Sequence, residues 1–233
     1  MTDTILFDFF GTLAKYSSDR TQLTSSKTHD FFTHNIFPIE YNVFKTEWNI
    51  SFSKLEQRST VTQLEFSMHD VLSEFLSHHG KGIYPDSLKD AFLDVYINEW
   101  SSHIEPFPHL DKLLASLSSD YKLGVVSNTH RVGLVPRLME QFGITDYFSS
   151  VVTSIDHGRP KPHDSIYTVA LADINANAQH TIFVGDSIEH DYVGPRKLGM
   201  YSVLIANEAP EGIPQEHVIS EVNELISALP IKK

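Results

Sequence analysis

The chain has 233 residues, 41% of them hydrophobic, with a formal net charge of -12 and no cysteine. The missing cysteine excludes disulfides, thiolate nucleophiles and cysteine-bound zinc or iron-sulfur sites. The negative charge makes nucleic acid and anionic lipid poor partners, and no basic patch offsets it. The length suits one large domain or a core domain carrying a smaller one. No run reaches the roughly 18 to 20 apolar residues of a membrane span, and the N-terminus lacks a basic stretch followed by an apolar one. The expectation is a cytoplasmic chain with a small-molecule substrate, no nucleic acid and no membrane partner; monomer or homodimer is left open.

In chain order, Thr4 to Phe7 is a short apolar run ending at Asp8, and Gly11 then allows a sharp turn and close approach of the backbone to a bound group. After Leu13 a polar stretch, Ala14 to Thr28, leads into a segment with helical periodicity and almost no β-branched runs. Helices are predicted over Thr28 to Phe37 and Ile39 to Leu55. A third carries Leu64, Met68, Val71, Leu72 and Phe75 and stops at Gly80; a fourth follows Pro85-Asp86-Ser87 with Leu88, Phe92, Val95 and Tyr96. The aromatics Phe31, Phe32, Phe37, Tyr41, Phe44, Trp48 and Phe52 could line a pocket, but packing between bundle helices is the better explanation.

From Ile104 the pattern becomes strand, helix, strand. Pro106 and Pro108 open a helix bearing Leu110, Leu113, Leu114 and Leu117, and Lys122 to Ser127 reads as a buried strand. A helix with Leu134, Leu138 and Phe142 stops at Gly143. Strands are predicted at Ser150 to Thr153, Thr181 to Val184 and Tyr201 to Ile205, with a helix after Lys161. Ala206 to Gln215 reads as a loop and Ile219 to Leu229 as a helix capped by Ser220. The fold class is therefore α/β: a Rossmann-like parallel sheet core with helices on both faces, residues 1–15 and 104–233, and an inserted α-helical bundle cap, residues 16–103.

The carboxyl ends of parallel strands share one edge of the sheet, where ligands bind. Four polar signals fall there: Asp8; Ser127-Asn128-Thr129; Lys161 in Gly158-Arg-Pro-Lys-Pro162; and Gly185-Asp186-Ser187 with Asp191. Each has a bland counterpart, as a helix cap, a solvated loop lysine or a turn aspartate. Their coincidence at successive strand ends is hard to obtain from structural needs alone.

The order Asp8-x-x-Gly-Thr, Ser127-Asn128, Lys161-Pro162 and Gly185-Asp186-Ser187-x-x-x-Asp191 resembles the haloacid dehalogenase-like hydrolase superfamily, in the subgroup with a helical cap inserted after the first motif. The resemblance implies Mg²⁺-dependent phosphoryl transfer through an aspartyl-phosphate. It makes Asp8, Ser127 and Lys161 catalytic, and Phe9, Phe10, Ser127, Asn128 and Lys161 the phosphate-binding set. Asp8, Asp186, Asp191 and the main-chain carbonyl of Phe10 become the metal site. The residue types support this independently. Asp8 can act as a carboxylate nucleophile; Ser127 and the following amide can bind a phosphoryl oxygen while Lys161 supplies charge. Crowded carboxylates call for a hard divalent cation, and Mg²⁺ takes one or two of them together with waters and phosphate.

Phe10 departs from the pattern. In phosphatases that the chain resembles, this position is a second aspartate that protonates the leaving oxygen, help worth about 10² to 10⁴ in rate. Aryl and acyl phosphates need it less, and halide displaced from carbon needs no proton. Three readings stand: a phosphatase; a 2-haloacid dehalogenase, whose relatives carry an aromatic residue at this position; and a phosphate-binding protein without turnover. Asp186, which the dehalogenase branch lacks, favours the first. The thirteen histidines show no metal-ligand spacing and are expected to be mostly solvated. His130 reads as a loop residue, and His190 is expected to orient Asp191. Lys45 and Lys54 lack a setting that would lower a lysine pKa for Schiff-base chemistry.

Overall fold

The computed structural model describes residues 2–17, 25–79 and 82–229. The chain divides into two compact units, Met1–Lys15 with Glu105–Lys233, and Tyr16–Ile104. The first is an α/β unit built on a six-stranded sheet in which every pairing is parallel. Strand β1 (Thr4–Phe7) is buried at all four positions, as expected of a strand covered on both faces. A short strand β2 (Ala14–Tyr16) follows and pairs with β3 (Ile104–Pro106), where the chain returns from the helical unit.

The sheet continues with β4 (Lys122–Ser127), β5 (Ser150–Thr153), β6 (Thr181–Gly185), β7 (Tyr201–Ile205) and β8 (Val218–Ile219), in the order β5-β4-β1-β6-β7-β8. The chain leaves β1 to build one side of the sheet through β4 and β5, then crosses back to build the other from β6 onward. The switch in direction falls at β1, which places a ligand-binding crevice at its carboxyl end.

The helical unit consists of α1 (Ser26–Asn35), α2 (Tyr41–Thr62), α3 (Met68–Ser77) and α4 (Asp86–Ser101). Phe32 is its hub, with ring centroids 5.3 Å from Phe44, 5.3 Å from Phe75 and 5.4 Å from Phe92; all four rings are fully or almost fully buried. The α/β unit adds α5 (Leu110–Ser118), α6 (Leu134–Gln141), α7 (Ser154–His157), α8 (Asp164–Asp173), α9 (Gly194–Lys197) and α10 (Leu225–Ala228). Among the described residues no helix is long and apolar enough to cross a membrane.

Several boundaries differ from the sequence reading, each for a local reason. The second helix runs past Leu55 to Thr62 and is ended by Gln63 in the left-handed region, φ 53°. The third begins at Met68 because Ser67 and Asp70 form a reciprocal capping box; Leu64 lies outside it and is exposed. The stop assigned to Gly80 lies outside the described residues. The long C-terminal helix is absent. Ser220 bonds Glu224 through both its N–H and its hydroxyl, and only a 3₁₀ turn over Val222–Glu224 and the short α10 follow. Val218 and Ile219 instead add the sixth strand, too short to announce itself by alternation.

Candidate active site

Three adjacent strands, β4, β1 and β6, deliver the site from their carboxyl ends. Asp8 follows β1, its N–H bonded to the Val184 carbonyl of β6 at 2.9 Å. The turn beyond it wraps around the Phe9 carbonyl, which accepts from the N–H groups of Leu13 and Ala14, both at 2.9 Å. Gly11 holds this turn at φ +87°, and a Cβ there would lie 2.1 Å from an Asp186 carboxylate oxygen. At Gly185 a Cβ would fall 2.4 Å from both Cβ and Cγ of Asp191. Two glycines therefore let two carboxylates pack directly against backbone.

Lys161 is buried and ties the acidic groups together. Its Nζ donates to Asp8 Oδ1 and to Asp191 Oδ1, each at 2.7 Å, and stands 5.4 Å from the centre of the Phe183 ring. The lysine is aimed through its main chain: its N–H donates to Asn128 Oδ1 at 2.7 Å, and its carbonyl accepts from Asn128 Nδ2 at 3.1 Å. Burial would lower the pKa of Lys161, but Asp191 and Asp8 outweigh it and hold the ammonium above its usual range. Asp8 is pushed up to about 7 by burial, with Lys161 pulling it down and Asp191 and Asp186 pushing it further up. Asp186 stands exposed at the rim of this cluster; the desolvation it does suffer and the nearby Asp191 raise its pKa.

Oxygens of Asp8, Asp186 and Asp191 lie within 4.8 Å of one another. Among the described residues these three carboxylates face the Lys161 ammonium, an imbalance that a divalent cation fits in charge and in ligand type. Ser127, at the end of β4, is completely buried, and its hydroxyl has no hydrogen-bond partner among the described residues. A buried hydroxyl left unsatisfied is costly, and here it ends the strand that pairs with β1, which carries Asp8; an oxygen of a bound group would satisfy it. The donor set fits a metal with a phosphoryl group.

The remaining candidates divide. Phe9 is fully buried and stacks on Phe142, centroids 6.2 Å apart, so only its main chain can serve a ligand. Phe10 is half-buried, its ring edge-on to Phe9 at 5.0 Å. The Asn128 side chain braces Lys161, a role its place in the motif does not reveal. His190 does not orient Asp191 by any hydrogen bond found among the described residues. Its N–H donates to Ser187 Oγ and its carbonyl accepts from the Tyr167 hydroxyl, while Asp191 is held by Lys161 and by the Ser187 N–H, 3.0 Å from Oδ2. None of the thirteen histidines is buried, though some are engaged: His29 Nε2 donates to the Ile39 carbonyl at 2.8 Å, and His79 stands 2.6 Å from Glu47.

Two residues were missed by sequence reasoning. Thr12 is buried with its hydroxyl 3.5 Å from Asp8 Oδ2; the Gly-Thr pair after the nucleophile was its only signal. Tyr167 on α8 supports the π-helical turn Ile188–Val193 that carries Asp191, and Gly194 leaves room for its ring, since a Cβ there would lie 2.4 Å from the hydroxyl. Nothing local in the sequence around Tyr167 signals that contact.

The family model described as haloacid dehalogenase-like hydrolase matches residues 5–205. The chain is similar to the bovine haloacid dehalogenase-like hydrolase domain-containing protein 3, 35% identical over 46% of this chain and 45% of that protein, so it spans about half of that relative's length. It is also similar to pyrophosphatase PpaX of Oceanobacillus iheyensis, 25% identical over 96% of this chain and 95% of that one. Among solved structures, a 2-haloacid dehalogenase from Pseudomonas syringae shares the fold, with a TM-score of 0.74 at 19% identity over 98% of each chain. The chain is a member of the haloacid dehalogenase-like hydrolase family.

Proposed function

We propose that the protein is a Mg²⁺-dependent phosphatase that hydrolyses a small phosphorylated metabolite through an aspartyl-phosphate on Asp8. The observation that carries this reading is the convergence of Asp8, Asp186 and Asp191 on one point, with Lys161 bonded to two of them. A carboxylate substrate would meet that acidic rim unfavourably, whereas a phosphate would arrive with its cation.

The residues act as follows. Asp8 Oδ1 is committed to Lys161, which leaves Oδ2, near the Thr12 hydroxyl, as the attacking oxygen. Ser127 Oγ and Lys161 Nζ receive the equatorial oxygens of the transferring group, where negative charge is greatest. Asp8, Asp186 and the Phe10 carbonyl would hold the ion directly, with Asp191 behind them; Mg²⁺ would neutralise the phosphoryl oxygens and relieve the repulsion among the carboxylates. Phe10 supplies no proton to the leaving group, so substrates with good leaving groups are favoured.

The relative named pyrophosphatase supports this, because an anhydride releases a stable phosphate rather than an alkoxide. A second reading, dehalogenation with Asp8 attacking carbon, is favoured by Phe10 alone. The assay that decides measures phosphate release from p-nitrophenyl phosphate and acetyl phosphate with Mg²⁺ or with EDTA, and chloride release from 2-chloropropionate in EDTA. Mg²⁺-dependent phosphate release is expected; EDTA-resistant chloride release, or neither product, contradicts the proposal.

A further inference from the structure

The turn that carries Asp191 is held in an uncommon register. At Ile188–Val193 the Tyr192 N–H reaches back to the Ser187 carbonyl at 3.2 Å, and the Gly194 N–H reaches back to the Glu189 carbonyl. Both are steps of five residues, the spacing of a π-helix, which is rare and mostly confined to single turns. In this register Asp191 Oδ1 lies 2.7 Å from Lys161 Nζ, and Asp191 Oδ2 accepts from the Ser187 N–H at 3.0 Å. A shorter step would be the ordinary choice, so a local cause is needed.

The cause lies at the His190 carbonyl. A π step from it ends at Pro195, which has no N–H to give. An α step ends at Gly194, whose N–H would then have to leave Glu189. The His190 carbonyl is thus the group over which the two registers compete. It accepts from the Tyr167 hydroxyl, which belongs to α8 and not to the turn. Gly194 admits that hydroxyl, because a Cβ there would stand 3.0 Å from the ring carbon that bears it. The ring itself is fixed: Tyr167 is fully buried and edge-on to Phe183, with centroids 5.6 Å apart. Burial, and then Asp191, holds its phenol above the ordinary range, so the hydroxyl keeps its proton and remains a donor.

We infer that Tyr167 is a positioning residue: its hydroxyl takes the His190 carbonyl, leaves the Gly194 N–H to Glu189, and so keeps the turn in the register that points Asp191 at Lys161. Without that hydroxyl the Gly194 N–H is the next backbone donor for the His190 carbonyl, since Pro195 has none. An α turn closes on one residue fewer than a π turn, which rotates the Asp191 carboxylate relative to Lys161 and the Ser187 N–H. The consequence for turnover rests on the proposed phosphatase chemistry; the register itself does not.

The test is amide hydrogen exchange, followed by NMR on the metal-free full-length protein. Tyr167→Phe keeps the ring and removes only the hydroxyl. The amides of Ser187 and Gly194 should then exchange about tenfold faster, while those of β1 and β4 keep their rates. Tyr167→Phe combined with Pro195→Ala returns an N–H to the π step from His190, and should restore slow exchange at both positions. In Mg²⁺, phosphate release from p-nitrophenyl phosphate should show kcat about three- to tenfold lower in Tyr167→Phe with KM little changed, and recovery in the double variant. Should Tyr167→Phe not fold, Gly194→Ala, whose Cβ displaces the hydroxyl, should speed the same two amides. A wild type that releases no phosphate would sink the phosphatase reading and leave the exchange result to decide this one. Unchanged exchange at Ser187 and Gly194, acceleration shared evenly with β1 and β4, or no recovery in the double variant would overturn the inference.

Discussion

At the scale of single residues, the account turns on Phe10 and Asn128. Phe10 stands in the turn after β1, two residues beyond Asp8, and its ring cannot move a proton. Phe10→Asp should therefore raise turnover of an alkyl phosphate, by up to about 10² to 10⁴, while p-nitrophenyl phosphate turnover changes little; no rise on the alkyl substrate would count against this assignment. Asn128 makes two hydrogen bonds to the Lys161 main chain. Asn128→Ala should lower kcat more than it raises KM, with a stability loss of about 1 to 3 kcal/mol from the unsatisfied Lys161 N–H, read by steady-state kinetics and thermal melting. At the start of α8 the Ser165 hydroxyl bonds His157 Nε2 and His163 Nδ1, each at 2.7 Å. Burial, then His163 and Arg159, lowers the His157 pKa below its usual value. A histidine with a depressed folded pKa contributes stability that is present above its unfolded pKa near 6.5 and is lost as pH falls through the folded value. The melting temperature should thus fall between pH 7 and pH 5, and by less in His157→Gln.

At the scale of elements, the most informative pieces are those that bring carboxylates against bare backbone. Asp186 occupies the space a Cβ at Gly11 would need, and Gly11 sits at φ +87°. Gly11→Ala should cost about 1 to 3 kcal/mol in backbone strain and displace Asp186, so that Mg²⁺ no longer raises the melting temperature; an unaltered Mg²⁺ response would refute the packing argument. The turn after β1 was legible only together with the later strand ends, because an apolar strand stopping at Asp8 before Gly11-Thr12 has a bland reading on its own. The strands β4, β5, β6 and β7 were legible from their continuous apolar runs. What escaped was nonlocal. Two residues of β8 carry no periodicity, and Ser220 found Glu224 instead of capping a helix. The π-helical turn at Ile188 depends on Tyr167, about twenty residues earlier. Asn128 is ordinary in its own neighbourhood, and its partner Lys161 is 33 positions away.

For the whole molecule, the α/β unit is a parallel sheet whose chain reversal at β1 creates a crevice, and the sequence placed four chemical groups at its rim. Their joint charge is the central physical fact: among the described residues, the three carboxylates of Asp8, Asp186 and Asp191 stand against the buried ammonium of Lys161. Removing that ammonium should be severe. Lys161→Met leaves Asp8 and Asp191 without a counter-charge, for an expected loss of about 3 to 5 kcal/mol in EDTA and a smaller one in Mg²⁺, measured by urea denaturation. The most direct measurement is a calorimetric titration of metal-stripped protein with Mg²⁺, beside Asp186→Asn whose fold is checked by circular dichroism. The account predicts one Mg²⁺ per chain for the wild type and binding at least about tenfold weaker for the variant. Absence of binding by the wild type, or equal affinity in Asp186→Asn, would contradict it.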